Sequence, residues 1–287
     1  MSTPTIAAVI NTLNEERNIE ACIRSLGPIG TYVDEVLVCD NCSEDRTVEI
    51  ARQCGARVVS HERGRCVTAA MRRFAYTQSD AEWIIALDAD ERPTPQLLES
   101  LRALAGAADT DVYRFAKLQY VFGGFVKYGG WFCEIFPHFF RRKYFLDHYR
   151  ADLGECVHYD FASVADAPRR AIIPKEGGAY LIHYAYDDLK EFAARAFARY
   201  CPLEAEDRLR RGESWSVRGV IWAPIRSFLR QYLRLRGYKD GMRGFVLAIL
   251  MAHYYSLIEL NLWFLTAGKP RDPEKPQSQA DPGGAGV

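Results

Sequence analysis

The sequence predicts an α/β fold built on a doubly wound, mostly parallel sheet, and three observations predict it. Short apolar runs rich in β-branched residues alternate with stretches of helical periodicity from Thr5 to Gly106. The intervening helices have crossover length, which brings successive strands into parallel pairs. With 287 residues and 48% hydrophobic content, the chain can also bury a substantial core.

"TIAAVINTL" reads as the first strand, and in "NEERNIEACIRSL" Ile19, Cys22, Ile23 and Leu26 recur at helical spacing. Asn14 is the expected N-cap of that helix, with Glu15 and Glu16 at the positive end of its dipole. "DEVLVCD" is a second strand, "SEDRTVEIARQCG" a helix stopped by Gly55, and "ARVVSHE" a third strand. "GRCVTAAMRRFAYTQS" predicts a helix and "AEWIIALDADE" a fourth strand. "TPQLLESLRALAG" adds a helix with Pro95 in its first turn, and "DVYRFAKLQYVF" another strand. Aromatics then interleave with Gly and basic residues from Tyr113 to Tyr149. After Pro174 the pattern turns helical, with Leu189, Phe192, Ala193, Ala196, Phe197 and Tyr200 on one stripe. The expected divisions are an α/β domain over 1–180, a helical extension over 181–267 and a Pro/Gly-rich disordered tail over 268–287.

Lys+Arg and Asp+Glu balance at 37 each, so no global field favours nucleic acid as a partner. "MSTPTIAAVINTLNEERN" lacks the basic, apolar and small-residue regions of a signal peptide, which predicts a cytoplasmic protein. Eight scattered cysteines do not form a secreted disulfide framework. The Cys39-x-x-Cys42 pair in "VCDNCSEDRT" raises dithiol or zinc chemistry, but no second pair stands at zinc-finger spacing. Cys39 is therefore read as a buried strand residue and Cys42 as a small turn residue.

The strongest chemical signal is "WIIALDADERP". Side chains of an extended strand alternate, so Asp88 and Asp90 are expected on one face, where two carboxylates can hold Mg²⁺ or Mn²⁺. Such an ion would neutralise a departing diphosphate. Sheets of this kind bind ligands at the carboxyl ends of their strands. No Gly-x-Gly-x-x-Gly follows the first strand, and no Gly-x-x-x-x-Gly-Lys-Ser/Thr occurs, which argues against a dinucleotide grip and a P-loop.

"VINTLNEERNI", "VLVCDNCSEDRTVEIA" and "IIALDADE" resemble the strands and the Asp-x-Asp of family 2 glycosyltransferases with the GT-A fold. "GGWFCEIFPHFFRRKYF", "VHYDF" and "LIHYAY" are more specifically similar to bacterial lipopolysaccharide-core β-glucosyltransferases. The resemblance implies an inverting transfer of a hexose from a nucleotide-diphosphate sugar, commonly a UDP-sugar, to a lipopolysaccharide-core or other lipid-linked glycan. It implies that Thr12, Asn14 and Glu15 line the nucleotide pocket, that Asp40 bonds the base, that Asp88 faces the ribose or sugar, and that Asp90 binds the metal. Relatives carry an acidic residue directly after Val-His, where this chain has Tyr159, so the general base is left between Glu155 and Asp160. Arg65 and Arg141, with Arg142, are candidate phosphate or acceptor contacts, His183 a candidate metal or diphosphate ligand, and Trp131 and Phe132 candidate sugar platforms. Asp45 is read as holding the turn before its helix. Other readings stand beside this one: transfer to a polypeptide, a non-catalytic nucleotide-sugar binder and, more distantly, a thiol oxidoreductase.

Six basic residues between Arg226 and Arg243 precede the aromatic-rich "GFVLAILMAHYYSLIELNLWFL". Its longest apolar run, Phe245 to Ala252, is shorter than the ~18 to 20 residues of a spanning helix. Docking on the inner face of the plasma membrane is therefore favoured over a core or dimer helix, and both over a span. Oligomeric state is not readable from this pattern.

Overall fold

The computed structural model describes residues 3–61, 69–106, 109–132, 136–148 and 167–267. Its centre is a mixed sheet in the order β3-β2-β1-β4-β8-β6-β10-β5, formed by β1 (Ile6–Thr12), β2 (Glu35–Asp40), β3 (Arg57–Ser60), β4 (Trp83–Asp88), β5 (Glu91–Pro93), β6 (Val112–Val121), β8 (Phe136–Arg141) and β10 (Tyr180–Tyr186). Two short strands, β7 (Gly124–Val126) and β9 (Arg170–Ile172), pair with β6. β1 to β4 are parallel, as the βα alternation predicts. β8 then runs antiparallel between β4 and β6, so the aromatic segment contributes a strand to the middle of the sheet.

The helices of the first half are α1 (Ile19–Ser25), α2 (Thr47–Gln53), α3 (Ala69–Thr77), α4 (Pro95–Leu104) and α5 (Arg142–His148). Alternation along β1 divides the core into two layers. Ile6, Ala8 and Ile10 pack with Ile19, Cys22 and Leu97, whereas Ala7 and Val9 pack with Met71, Tyr76 and Phe145. Such double-sided burial is why these strands read as continuous apolar runs. Thr94 caps α4 by accepting from Leu97 N, with Pro95 at the first helical position as expected. The expected cap at Asn14 is not made: α1 begins four residues later, its N-cap position is Asn18, and Asn14 has a left-handed backbone with φ of 55°.

β10 belongs to the sheet, so the helical extension begins at Leu189, later than the expected boundary at 180/181. It comprises α6 (Leu189–Phe192), wider π-type turns over Ala193–Tyr200, α7 (Cys201–Arg210), α8 (Val217–Phe228) with π-type turns over Leu229–Arg234, and α9 (Gly241–Thr266). Phe192 and Ala196 from the predicted stripe are buried against Val121, Ala185 and Leu247, but Leu189 at its start is exposed. α8 and α9 form an antiparallel hairpin. Gly244 approaches the Gly237 carbonyl so closely that a Cβ there would stand 1.9 Å from the oxygen. The helical stretch Gly237–Thr266 carries an 18-residue window of mean hydropathy 1.5 with 28% of it buried. By length and composition alone it is long and apolar enough to cross a membrane, although its longest unbroken apolar run is short.

Candidate functional site

The register of the parallel strands brings their carboxyl ends level: Thr12 pairs with Asp40, and Asn11 with Asp88. A cavity of about 450 Å³ opens beside the ends of β1 and β4, and β6, β10 and the helical extension close it. Thr12, Glu15, Asp88, Asp90, His183 and Trp131 all line it, so six predicted residues converge there.

Asp88 and Asp90 share the cavity for a different reason from the one expected. β4 ends at Asp88, and Asp90 sits in the turn before β5. Asp88 is half-buried and accepts from Arg72 Nη2 at 3.0 Å, while its backbone N–H donates to Glu91 Oε2. Asp90 is buried, its Oδ2 lying 3.4 Å from both His183 Nε2 and Arg195 Nη2. Its Oδ1 has no hydrogen-bond partner among the described residues. Burial alone would raise this carboxyl, but His183, Arg195 and Lys117 outweigh it and hold the group well below the ordinary carboxylate range.

The β5–β10 ladder sets Glu91 opposite His183, and Tyr184 N–H donates to the Asp90 carbonyl at 2.9 Å. His183 Nδ1 lies 2.7 Å from Gln119 Oε1, an acceptor, so that contact assigns the ring proton to Nδ1. Nε2 then faces the Asp90 carboxylate: a protonated ring donates to it, as the depressed carboxyl reflects, and a neutral ring sets two acceptors against each other. In the second case a cation between them would satisfy both, and the orphaned Oδ1 offers it a further oxygen. The donor set thus fits a hard divalent ion, although among the described residues no group of three or more His, Cys, Asp or Glu is arranged to hold one.

Glu15 completes the electrostatics. Burial, then the Asp90 charge, pushes its carboxyl up to about 7, against the hydrogen bond from Asn18 Nδ2 at 2.8 Å. Arg195 reaches across the cavity from the π-type turns, 3.9 Å from Glu15 Oε1, and donates to the Ala185 carbonyl at 2.9 Å. Burial would weaken its charge, but Asp90, Glu191 and Glu15 raise its affinity for the proton further.

Other predicted residues lie elsewhere. Asp40 is not among the residues lining the cavity; Oδ2 accepts from Ser43 N–H at 3.0 Å, while Oδ1 is buried without a partner among the described residues. Asn14 is exposed and works as a clasp, its N–H donating to Ser43 Oγ and its Oδ1 accepting from Glu44 N–H, both at 2.8 Å. Asp45 behaves as read, accepting from Thr47 N–H and Glu16 N–H. Arg141 stands at the other end of the sheet, because β8 runs antiparallel to β4 and pairs it with Trp83. There it bonds Glu82 and the Thr110 carbonyl and lies 4.6 Å from the Trp83 ring centroid. Arg142 likewise donates to the Ala81 carbonyl, and Phe132 packs edge-on to Tyr180. Arg65, Glu155 and Asp160 lie outside the described residues.

Sequence reasoning missed Arg72, Lys117, Gln119, Arg195, Tyr254 and Met251 of the cavity wall. A signal for one of them existed: Arg195 and Arg199 stand at i, i+4 within the same helical stretch as the apolar stripe from Leu189 to Tyr200.

The family model described as "Glycosyl transferase family 2" matches residues 7–159. The lipopolysaccharide core biosynthesis glycosyltransferase LpsC of Rhizobium meliloti is 28% identical over 274 residues, covering 92% of this chain and 91% of that protein. An uncharacterized glycosyltransferase of Rickettsia typhi is 26% identical over 264 residues, covering 86% of this chain and 82% of its own. A crystal structure of glucosyl-3-phosphoglycerate synthase from Mycobacterium tuberculosis, in complex with Mn²⁺, UDP and glucosyl-3-phosphoglycerate, is similar at 28% identity and a TM-score of 0.36. That alignment covers 40% of this chain and 44% of that one.

Proposed function

Since the chain belongs to glycosyl transferase family 2, and is a glycosyltransferase, we propose that it moves a hexose from a UDP-sugar to a hydroxyl of a lipopolysaccharide-core or other lipid-linked glycan, with inversion. The observation that carries this reading is the Asp90 carboxylate, with one oxygen unpartnered among the described residues and the other facing His183 Nε2, inside a cavity at the carboxyl ends of β1 and β4. Similarity to LpsC across most of both chains supports the acceptor class.

Asp90 and His183 would hold Mg²⁺ or Mn²⁺, which supplies charge neutralisation for the diphosphate leaving group. Thr12 and Asn11 offer buried polar atoms without partners among the described residues to a donor at the end of β1, and Asp40 offers another at the end of β2. Arg195 balances the Asp90 and Glu15 charges and stands ready to meet phosphate oxygens. Trp131 presents a ring to the sugar. The acceptor oxygen attacks the anomeric carbon as its bond to the diphosphate breaks, and the hydroxyl proton passes to a carboxylate, Glu155 or Asp160.

UDP release from UDP-hexoses, measured with Mn²⁺ and a lipopolysaccharide-core acceptor, tests the proposal. Turnover should fall at least about a hundredfold in Asp90→Ala, and calorimetric Mn²⁺ binding should fall with it. Undiminished turnover in that variant would remove the metal role. Donor binding by wild type without transfer to any glycan would leave a nucleotide-sugar binder instead.

A further inference from the structure

The α8–α9 hairpin exposes two adjacent ridges whose chemistry differs. Val217, Ile221, Ile225, Leu229 and Leu233 repeat every fourth residue and are all exposed, between 43% and 61%. One position further on, Arg218, Trp222, Arg226, Arg230 and Arg234 repeat with the same spacing and are exposed too. The π-type turns over Leu229–Arg234 keep this four-residue spacing aligned where an ideal α-helix would drift. From Val217 to Lys239 the chain has no acidic residue.

α9 continues the apolar surface. Met242, Ile249, Leu260 and Phe264 face outward, and Phe245 joins the two helices by packing edge-on against Phe228 and Tyr232. Its opposite face belongs to the protein: Leu247 and Ile258 are buried, and Met251 and Tyr254 line the cavity. On the flank nearest α8, Glu259 binds Arg208 at 2.6 Å and closely approaches Gly219. A helix that carries the Glu259–Arg208 ion pair and gives Met251 and Tyr254 to a cavity inside the fold is packed against the protein rather than set across a bilayer, despite its length and composition.

We propose that the α8–α9 hairpin docks on the surface of an anionic phospholipid membrane, with the apolar ridge in the acyl boundary and the arginine ridge at the headgroup phosphates. An apolar stripe flanked by arginines is the pattern of an interfacial helix. Charge argues against a second copy as the occupant, since a two-fold pairing of this face would bring two unneutralised arginine ridges together. Because α9 is at once the outer surface and an inner wall of the cavity, docking sets the catalytic cavity one helix away from the lipid. This deepens the reading of a lipid-linked acceptor and rests on it for its purpose, but not for its test.

The test is flotation of the full-length protein with vesicles of phosphatidylcholine alone and of phosphatidylcholine mixed with phosphatidylglycerol. Binding is expected to the mixed vesicles and to weaken with added salt. Arg226→Glu/Arg230→Glu/Arg234→Glu should lower the partition coefficient at least about a hundredfold. Trp222→Ser/Ile225→Ser should lower it as well, with the melting temperature and UDP-sugar binding of both variants unchanged. Equal partition onto the two vesicle types, or no loss in the charge-reversal variant, overturns the proposal. So does a concentration-dependent dimer, seen by sedimentation, that dissociates in Trp222→Ser/Ile225→Ser while wild type ignores vesicles. Transfer to a detergent-free, soluble core oligosaccharide is measured separately, so a failure of the enzymatic reading and a failure of docking are told apart.

Discussion

Asp90 Oδ2 and His183 Nε2 are held 3.4 Å apart by the β5–β10 ladder, which joins the turn after β4 to a strand from the far side of the sequence. Neither element alone brings a carboxylate and an imidazole together. The pairing does.

Replacing Asp90 with Asn should therefore weaken Mn²⁺ binding by more than about a hundredfold while leaving the ladder intact. The same variant carries a pH signature. A carboxyl held far below its ordinary range stabilises the fold above about pH 4, and that contribution is lost as the pH falls and the group protonates. Urea unfolding at pH 7 and pH 3 should show a smaller pH dependence in Asp90→Asn than in wild type.

Glu15 has the opposite sign. Its carboxyl is raised to about 7 in the fold, so the folded state holds a proton that the unfolded chain has released above its ordinary value of about 4.5. Stability from this group is greatest at acid pH and declines as pH rises through 7. Glu15→Gln should accordingly stabilise the metal-free protein at pH 8, by up to about 3 kcal/mol, and change little at pH 4. Thermal melts at the two pH values check this.

Arg141 serves the opposite end of the sheet from the cavity. Arg141→Ala should cost about 1 to 3 kcal/mol in denaturant unfolding, through its lost contacts with Glu82 and Trp83, and should leave the donor KM unchanged. A raised KM with normal stability would return it to the site.

Trp83 is fully buried and stacked on Phe139, with ring centroids 4.6 Å apart. Trp83→Ala should cost about 3 to 5 kcal/mol, read from the shift in the urea midpoint at constant m-value.

Cys39 is buried and its thiol is pushed up to about 12 by burial, whereas Cys42 is exposed, with a left-handed backbone. Peptide-resolved alkylation near neutral pH should label Cys42 in the folded protein and Cys39 only after unfolding. Equal labelling would restore a dithiol as a candidate.

The parallel half of the molecule was legible because its signals are local: β1 to β4 are apolar runs, and Thr94, Pro95 and Gly55 punctuate their helices. Asp88 and Asp90 were legible as a pair, though the turn, not strand alternation, sets their relation. What was not legible depends on pairing between distant segments. Nothing local in "FFRR" says that β8 runs antiparallel to β4, yet that direction carries Arg141 away from the cavity. Arg195 was hidden by its neighbours: it lines the same cavity as Phe192 and Ala196, whose apolar periodicity reads as core packing. Asn14 looked like a cap, but a positive φ turned its amide toward the β2–α2 loop.

α9 has one further consequence. A helix with its side chains is about 10 to 12 Å across, so with the outer ridge at the lipid the reacting centre stands only a few sugar units above the headgroups. On the proposed docking and acceptor, the fold would act as a ruler. It would favour glycosylation near the lipid-proximal end of a glycan and leave residues farther out on a grown chain beyond reach, so the length of the acceptor would become a determinant of specificity independent of the sugar's own hydroxyls.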